Sequence, residues 1–314
     1  MSERRVIVVH PHGFCAGVSR ALAAAEASLV RFPRPIYGLH DLVHNEHVVA
    51  DLTARGVRFV ARIEEVPPGG TVIFSAHGVA PAVRLAAAAR GLRLIDATCP
   101  YVAKVHDEVR RFAAEGGTVF CIGHHGHAEV EGVMGEAPRQ VIVVATPEEA
   151  QRAQPADPAK VAVVTQTTLS PEHADAVRAV LRARFPALGE PARADICHAT
   201  RLRQEAARVL SGRTDLVLVL GSETSSNSRR LVETVQDAGG RAHLLGARAA
   251  LATAPLAGVR TLGITSGAST PESFLLDVLA GLRGHGFTEI EHLHAVPDRT
   301  RAFRLPPELA DGAA

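Results

Sequence analysis

The chain has 314 residues, a formal net charge of +1, 46% hydrophobic and 21% charged residues, the balance of a soluble globular protein with material for two or three cores. Only Lys104 and Lys160 among its 34 basic residues are lysines, tryptophan is absent and aromatics make up 4%, which argues against a nucleic-acid groove built on charge and base stacking. The apolar runs VIVV at 6–9 and LVLVL at 216–220 are too short for a signal-peptide core or a membrane span, so neither a membrane nor a nucleic-acid partner is expected and the chain reads as cytoplasmic.

In chain order, residues 1–13 form a lead-in strand that ends at HPHGFC, where Cys15 opens an Ala-rich helix to about Val30. PIYGLHDLVHN, the helical VVADLTARG, VRFV, TVIFSAHGVA, a second Ala-rich helix and LRLIDATC follow, completing a first lobe over 14–98. The order recurs from Cys99: a helix through Phe112, TVFCIGHHGHAEVEG, QVIVVA, the loop PADPAK, VAVVTQTTLS, a helix near 171–184 and ADIC make a second lobe, 99–196. From Cys197 a helix to about Leu210, DLVLVLGSETSSNS, the helix RRLVETVQDAG and TLGITSGASTPESFLLDVLAG make a third, 197–284, and 285–314 reads as a C-terminal strap and tail. Short apolar strands alternating with amphipathic helices predict parallel sheets. The expected fold is therefore α/β, three pseudo-three-fold-related lobes with small parallel sheets around a central cavity.

Cys15, Cys99 and Cys197 each close an extended segment and open a helix. A lone cysteine is by default a packing residue, and Cys121, inside the apolar TVFCIG, is read that way. The other three have small, polar or proline neighbours, and helix starts favour an anionic ligand. One thiolate per repeat makes a trigonal donor face with a fourth position open. That suits a [4Fe–4S] cluster with one open iron, although a catalytic zinc would also leave a position open.

The polar residues fall at strand ends, where parallel sheets put their ligand sites: SAHG, TQTT and TSGAS in one position of the three copies, LVHN, GHAEVEG and SSNS in the other. His44, His77 and His127, with Ser225, Ser226, Asn227 and Ser269, offer neutral donors to a phosphate in a chain almost without lysine; as ordinary N-caps the Ser and Asn residues would look the same locally. No Walker A or GxGxxG pattern is present. Glu129, if buried, is a proton donor with a raised pKa, and the Thr167 hydroxyl could relay its proton.

Taken together, GFCAGV, VHN, SAHG, DATCP, the run from Gly123 to Gly132, TQTTLS, DIC-AT, SSNS and GAS resemble the 4-hydroxy-3-methylbut-2-enyl diphosphate reductase family of the non-mevalonate isoprenoid route. The resemblance implies a [4Fe–4S] cluster on Cys15, Cys99 and Cys197. It implies a substrate pocket lined by His44, His77, His127, Thr167, Ser225, Ser226, Asn227 and Ser269, with Glu129 and Thr167 catalytic. The implied reaction is the reductive dehydroxylation of an allylic hydroxy-diphosphate to isopentenyl and dimethylallyl diphosphate, with electrons from ferredoxin or flavodoxin. The chain departs from the family pattern at His12, Ser19, His198, Arg201, Leu202, Glu223 and Thr224. A diverged paralogue acting on a related allylic diphosphate, a zinc hydrolase using His127 and Glu129, and a non-catalytic iron–sulfur protein are the rival readings.

Overall fold

The computed structural model describes residues 4–298 and 300–310. Runs rich in valine and isoleucine form strands, and Ala-rich or amphipathic stretches between them form helices. The chain begins β1 (Arg4–His10), α1 (Ala16–Arg31), β2 (Ile36–Leu39), α2 (Glu46–Ala54), β3 (Val57–Val60), β4 (Thr71–Phe74), α3 (Pro81–Ala89) and β5 (Arg93–Asp96). It continues α4 (Pro100–Ala114), β6 (Thr118–Ile122), α5 (Ala128–Met134), β7 (Val141–Val144), α6 (Pro147–Arg152), β8 (Val161–Thr165) and α7 (Pro171–Arg184). Last come α8 (His198–Ser211), β9 (Leu216–Leu220), α9 (Ser226–Asp237), β10 (Ala242–Leu245), β11 (Thr261–Ser266), α10 (Glu272–Arg283) and β12 (Phe287–His294).

Among the described residues the strands form three sheets, ordered β10-β9-β11-β1-β12, β3-β2-β4-β5 and β7-β6-β8, and every pairing is parallel. The fold is α/β with small parallel sheets, as expected. By contacts the described chain divides into two units, one drawn from 1–18, 44–50 and 198–302, the other from 19–43, 51–197 and the residues after 302.

The first unit holds the five-stranded sheet, covered on both faces. Because successive side chains of a strand point to opposite faces, Val6, Val8, Leu218 and Leu220 pack with Phe274, Val278 and Leu282 of α10, while Ile7, Val9, Val217 and Val219 pack with Ala206 and Leu210 of α8 and Leu231 and Val235 of α9. Burial of each such aliphatic side chain is worth about 1.5–3 kcal/mol. The segment expected to be a strap begins instead with β12, an edge strand paired to β1. Only Phe287 of it is buried, and Glu289, Glu291, His292 and His294 blunt the exposed edge.

The second unit holds the other two sheets. On β6, Val119 and Cys121 face Val105 and Val109 of α4 and Val130 and Val133 of α5; Phe120 and Ile122 face Ala174, Val177 and Leu181 of α7. Cys121 is thus core, as its apolar neighbours indicated, and burial pushes its thiol up. Among the described residues no helix is long and apolar enough to cross a membrane.

Candidate active site

Cys15 follows β1 and Cys99 follows β5, but the extended segment expected before Cys197 is irregular, since no strand lies between α7 and α8; the three cysteines still share one local design. Cys15 precedes α1, Cys99 precedes α4 and Cys197 precedes α8. Each backbone N–H donates to a carbonyl in the loop after a strand: Cys99 to Ala76 after β4 at 3.0 Å, Cys197 to Thr167 after β8 at 3.1 Å, and Cys15 to Ala268 after β11 at 3.1 Å. Cys99 is the extended N-cap of α4, with Pro100 supplying a first-turn residue that needs no N–H partner. Cys15 Sγ accepts from the Val18 N–H at 3.5 Å. All three are half-buried and free of disulfides. A half-exposed sulfur at the positive end of a helix fits a thiolate ligand of an iron–sulfur cluster. Among the described residues no three His, Cys, Asp or Glu side chains are gathered about one metal ion, and a cluster in which each thiolate takes a different iron does not require it.

In the second unit, α5 starts at the loop GHHGH. His127 is its N-cap, and Nδ1 accepts the Glu129 N–H at 3.1 Å, which leaves the ring proton of a neutral His127 on Nε2. Glu129 is 2% exposed. Thr167 holds it, donating its N–H to Oε1 at 2.6 Å and its hydroxyl to Oε2 at 2.9 Å. Burial pushes the Glu129 carboxyl up to about 7; the two Thr167 bonds oppose this and the Asp195 charge adds to it. His77 meets His127 edge-on with ring centroids 5.9 Å apart, and its N–H donates to Ser75 Oγ at 3.3 Å. The turn that presents His77 needs Gly78: its φ is +77°, and a Cβ there would lie 2.8 Å from His106 Nε2.

Two groups here were not singled out from the sequence. Asp195 is raised by burial and held by Lys104 Nζ at 2.6 Å and the Thr165 N–H at 2.8 Å. His106 Nδ1 lies 2.7 Å from Glu136 Oε1, which also takes Arg110 at 2.9 Å. Burial would raise Glu136, but those two partners outweigh it and hold the carboxyl low. One of only two lysines could have flagged Asp195; nothing in the sequence links residue 106 to 136.

In the first unit, Ser225 caps α9, its Oγ accepting the Ser228 N–H at 3.3 Å. Asn227 Oδ1 accepts the Ala268 N–H at 2.9 Å, tying α9 to the loop that bonds Cys15. The Asn227 Nδ2 atom is buried without a hydrogen-bond partner. Ser269 donates its hydroxyl to the half-buried His44's carbonyl at 3.0 Å, and Ser226 is buried. The loops after β9 and β11 pack tightly on α9: a Cβ on Gly221 or Gly267 would come within 2.1 or 2.2 Å, respectively, of Ser228 Oγ. Among the departures, Leu202 packs into the core beside β1 and Thr224 Oγ1 bonds Ser222 Oγ at 2.8 Å.

The expected residues thus fall in two sets. His77, Cys99, His127, Glu129, Thr167 and Cys197 belong to one unit, and Cys15, His44, Ser225, Ser226, Asn227 and Ser269 to the other. Hydrogen bonds join Glu129 to Thr167, Thr167 to Cys197, Asn227 to Ala268 and Ala268 to Cys15.

Comparison with known proteins adds the following. The family model described as LytB protein matches residues 6–283. The chain is 47% identical over 310 residues to the 4-hydroxy-3-methylbut-2-enyl diphosphate reductase of Acidothermus cellulolyticus, covering 98% of this chain and 91% of that one. It is 48% identical over 309 residues to the enzyme of the same name from Nocardia farcinica, covering 98% and 92%. The structure of the E-1-hydroxy-2-methyl-but-2-enyl-4-diphosphate reductase from Plasmodium falciparum matches with a TM-score of 0.94 at 33% identity, covering 98% of this chain and 97% of that one.

Proposed function

The chain belongs to the LytB protein family, and from that premise we propose that it is a 4-hydroxy-3-methylbut-2-enyl diphosphate reductase working through a [4Fe–4S] cluster on Cys15, Cys99 and Cys197. The reaction consumes (E)-4-hydroxy-3-methylbut-2-enyl diphosphate, two electrons and two protons, and releases water with isopentenyl and dimethylallyl diphosphate. The cluster supplies the electrons one at a time and a Lewis-acidic open iron.

The observation that carries the reading is Glu129, buried and gripped by Thr167. Hydroxide is a poor leaving group and departs readily only when protonated. A carboxyl poised near 7 holds its proton in about half the molecules at neutral pH and can still release it. When Glu129 is protonated it can donate to Thr167 Oγ, freeing the threonine hydroxyl to donate onward to the substrate oxygen. His127, with its ring proton on Nε2, and His77 beside it offer further neutral donors.

For the diphosphate we assign His44, His77, Ser225, Ser226, Asn227 and Ser269. Asn227 Nδ2, a buried donor without a partner in the first turn of the 12-residue α9, supports this, because helix starts favour anions and a buried unpaired N–H costs stability until a ligand accepts it. Anchoring the diphosphate also brings binding energy from a part of the substrate that does not react. Electrons come from a ferredoxin or flavodoxin. We assign a cytoplasmic location, a reducing compartment that keeps cluster-ligating thiols available.

The test is anaerobic purification, iron analysis and assay with the hydroxy-diphosphate and a reduced mediator. A brown protein with about four irons per chain that yields both products is expected. A colourless zinc protein, or an iron-loaded chain that leaves the substrate untouched, would overturn the proposal.

A further inference from the structure

Four histidines with no part in the reaction meet at one end of the five-stranded sheet. They come from two copies of one pattern, His10-Pro11-His12 where β1 ends and His292-Leu293-His294 where β12 ends. Alternate residues of a strand share a face, and the parallel register sets His10 opposite His294 and Val8 opposite His292. His10 Nε2 and His292 Nδ1 are 3.0 Å apart. The rings of His12 and His294 each have their centroid 4.5 Å from that of His10. His10, His12 and His294 line a cleft of ≈580 Å³ together with Val296, Pro297 and Asp298. His12 Nδ1 is buried without a hydrogen-bond partner, with Glu272 Oε2 3.6 Å away.

We propose that this quartet binds one divalent transition-metal ion of the zinc and nickel class, chelated by His10 and His292 and completed by His294 or His12. Imidazole nitrogen is a preferred donor for these ions. Two nitrogens bonded to one ion at about 2.0–2.1 Å stand about 2.9 Å apart at a right angle and about 3.4 Å apart at the tetrahedral angle. The observed spacing lies between them. The ion takes the place of the proton that the pair now shares, one ring exchanging tautomer. As placed, no three donors among the described residues converge on one point, so the third ligand arrives by rotation of a ring. His292 and His294 are exposed on the edge strand and turn without repacking a core.

The surroundings suit a cation. The Glu272 carboxylate lies beside His12, and Asp298 lines the same cleft. Occupancy would fasten the edge strand β12 to β1, the strand that leads into Cys15.

The experiment is calorimetric titration of Zn²⁺ into untagged, anaerobically prepared holoenzyme. Uptake of one ion per chain at micromolar concentration is expected from this site, weakened at least about 100-fold in His292→Ala, where the chelate is lost. His10→Ala should behave alike, and His125→Ala, an exposed histidine elsewhere, should bind as wild type. No uptake by wild type, or uptake unchanged in both His292→Ala and His10→Ala, would overturn the proposal.

Discussion

Thr167 engages both carboxylate oxygens of Glu129, one through its backbone N–H and one through its hydroxyl. The two contacts differ in what they can do. The backbone bond fixes the carboxyl in place whatever the side chain at 167. The hydroxyl bond can reverse, because a hydroxyl both donates and accepts.

Glu129→Gln keeps the shape of the buried group and removes its proton. Turnover should fall at least about 100-fold, the range for loss of a general acid, with substrate binding and iron content retained. Single-turnover assays on the fully loaded variant check this, and an undiminished rate would assign the proton to another source.

Thr167→Val removes the hydroxyl and leaves the backbone bond to Oε1. That hydroxyl bond favours the charged form of Glu129, so its loss should move the carboxyl further up and shift the alkaline limb of the rate profile to higher pH. Turnover should drop about 10- to 100-fold if the relay operates, while Thr167→Ser should recover most of it. Matching profiles for Val and wild type would remove the hydroxyl from the mechanism.

Glu129 also ties stability to pH. Its carboxyl rises from the ordinary 4.5 to about 7 on folding, so between those values the folded chain holds a proton that the unfolded chain has released. Stability from this group therefore falls as pH rises from about 4.5 to 7 and is flat beyond. Urea midpoints of the cluster-free chain should decline over that window in wild type more than in Glu129→Gln. Parallel curves would show that the carboxyl is not perturbed in solution.

Replacing Cys15, Cys99 or Cys197 singly by serine should abolish most cluster loading, read as iron per chain after anaerobic reconstitution. Cys121→Ala should load normally, since Cys121 faces α4 and α5 in the core. Full iron in any of the three serine variants would remove that cysteine from the ligand set.

Gly221→Ala would press a methyl group onto Ser228 Oγ and should lower stability by about 1–3 kcal/mol, the range for overpacking. Ser228→Ala in the same chain should restore part of the loss. Thermal melts of the single and double variants check the pair.

Much of this was legible in the sequence, for a physical reason. Cys15 and Cys99 stand out because a strand-to-helix junction has a local signature, an apolar run meeting a helical period; before Cys197 only the helix start carries the signal, since no strand lies between α7 and α8. The strand-end position of GHAEVEG drew attention to His127 and Glu129, and the structure makes His127 the cap of α5 and buries Glu129 against Thr167. What escaped were relationships made only by folding. Nothing local pairs His106 with Glu136, 30 residues away, or brings Asp195 to Thr165. Ile290 and Leu293 are too sparse among charged neighbours to announce β12, which forms because β1 offers it a free edge. The serines of SSNS illustrate another limit: Ser225 is a helix cap, and a cap and a phosphate donor have the same sequence.

The bond from each cysteine N–H to the carbonyl just past a strand ties the backbone that carries the sulfur to a neighbouring loop. The turn carrying His77 is tied in this way to Cys99 through Ala76, and the loop carrying Ser269 to Cys15 through Ala268. In the proposed function, a loop assigned to the substrate and a cysteine assigned to the cluster are thus one hydrogen bond apart, the shortest link by which occupancy of one would be felt at the other.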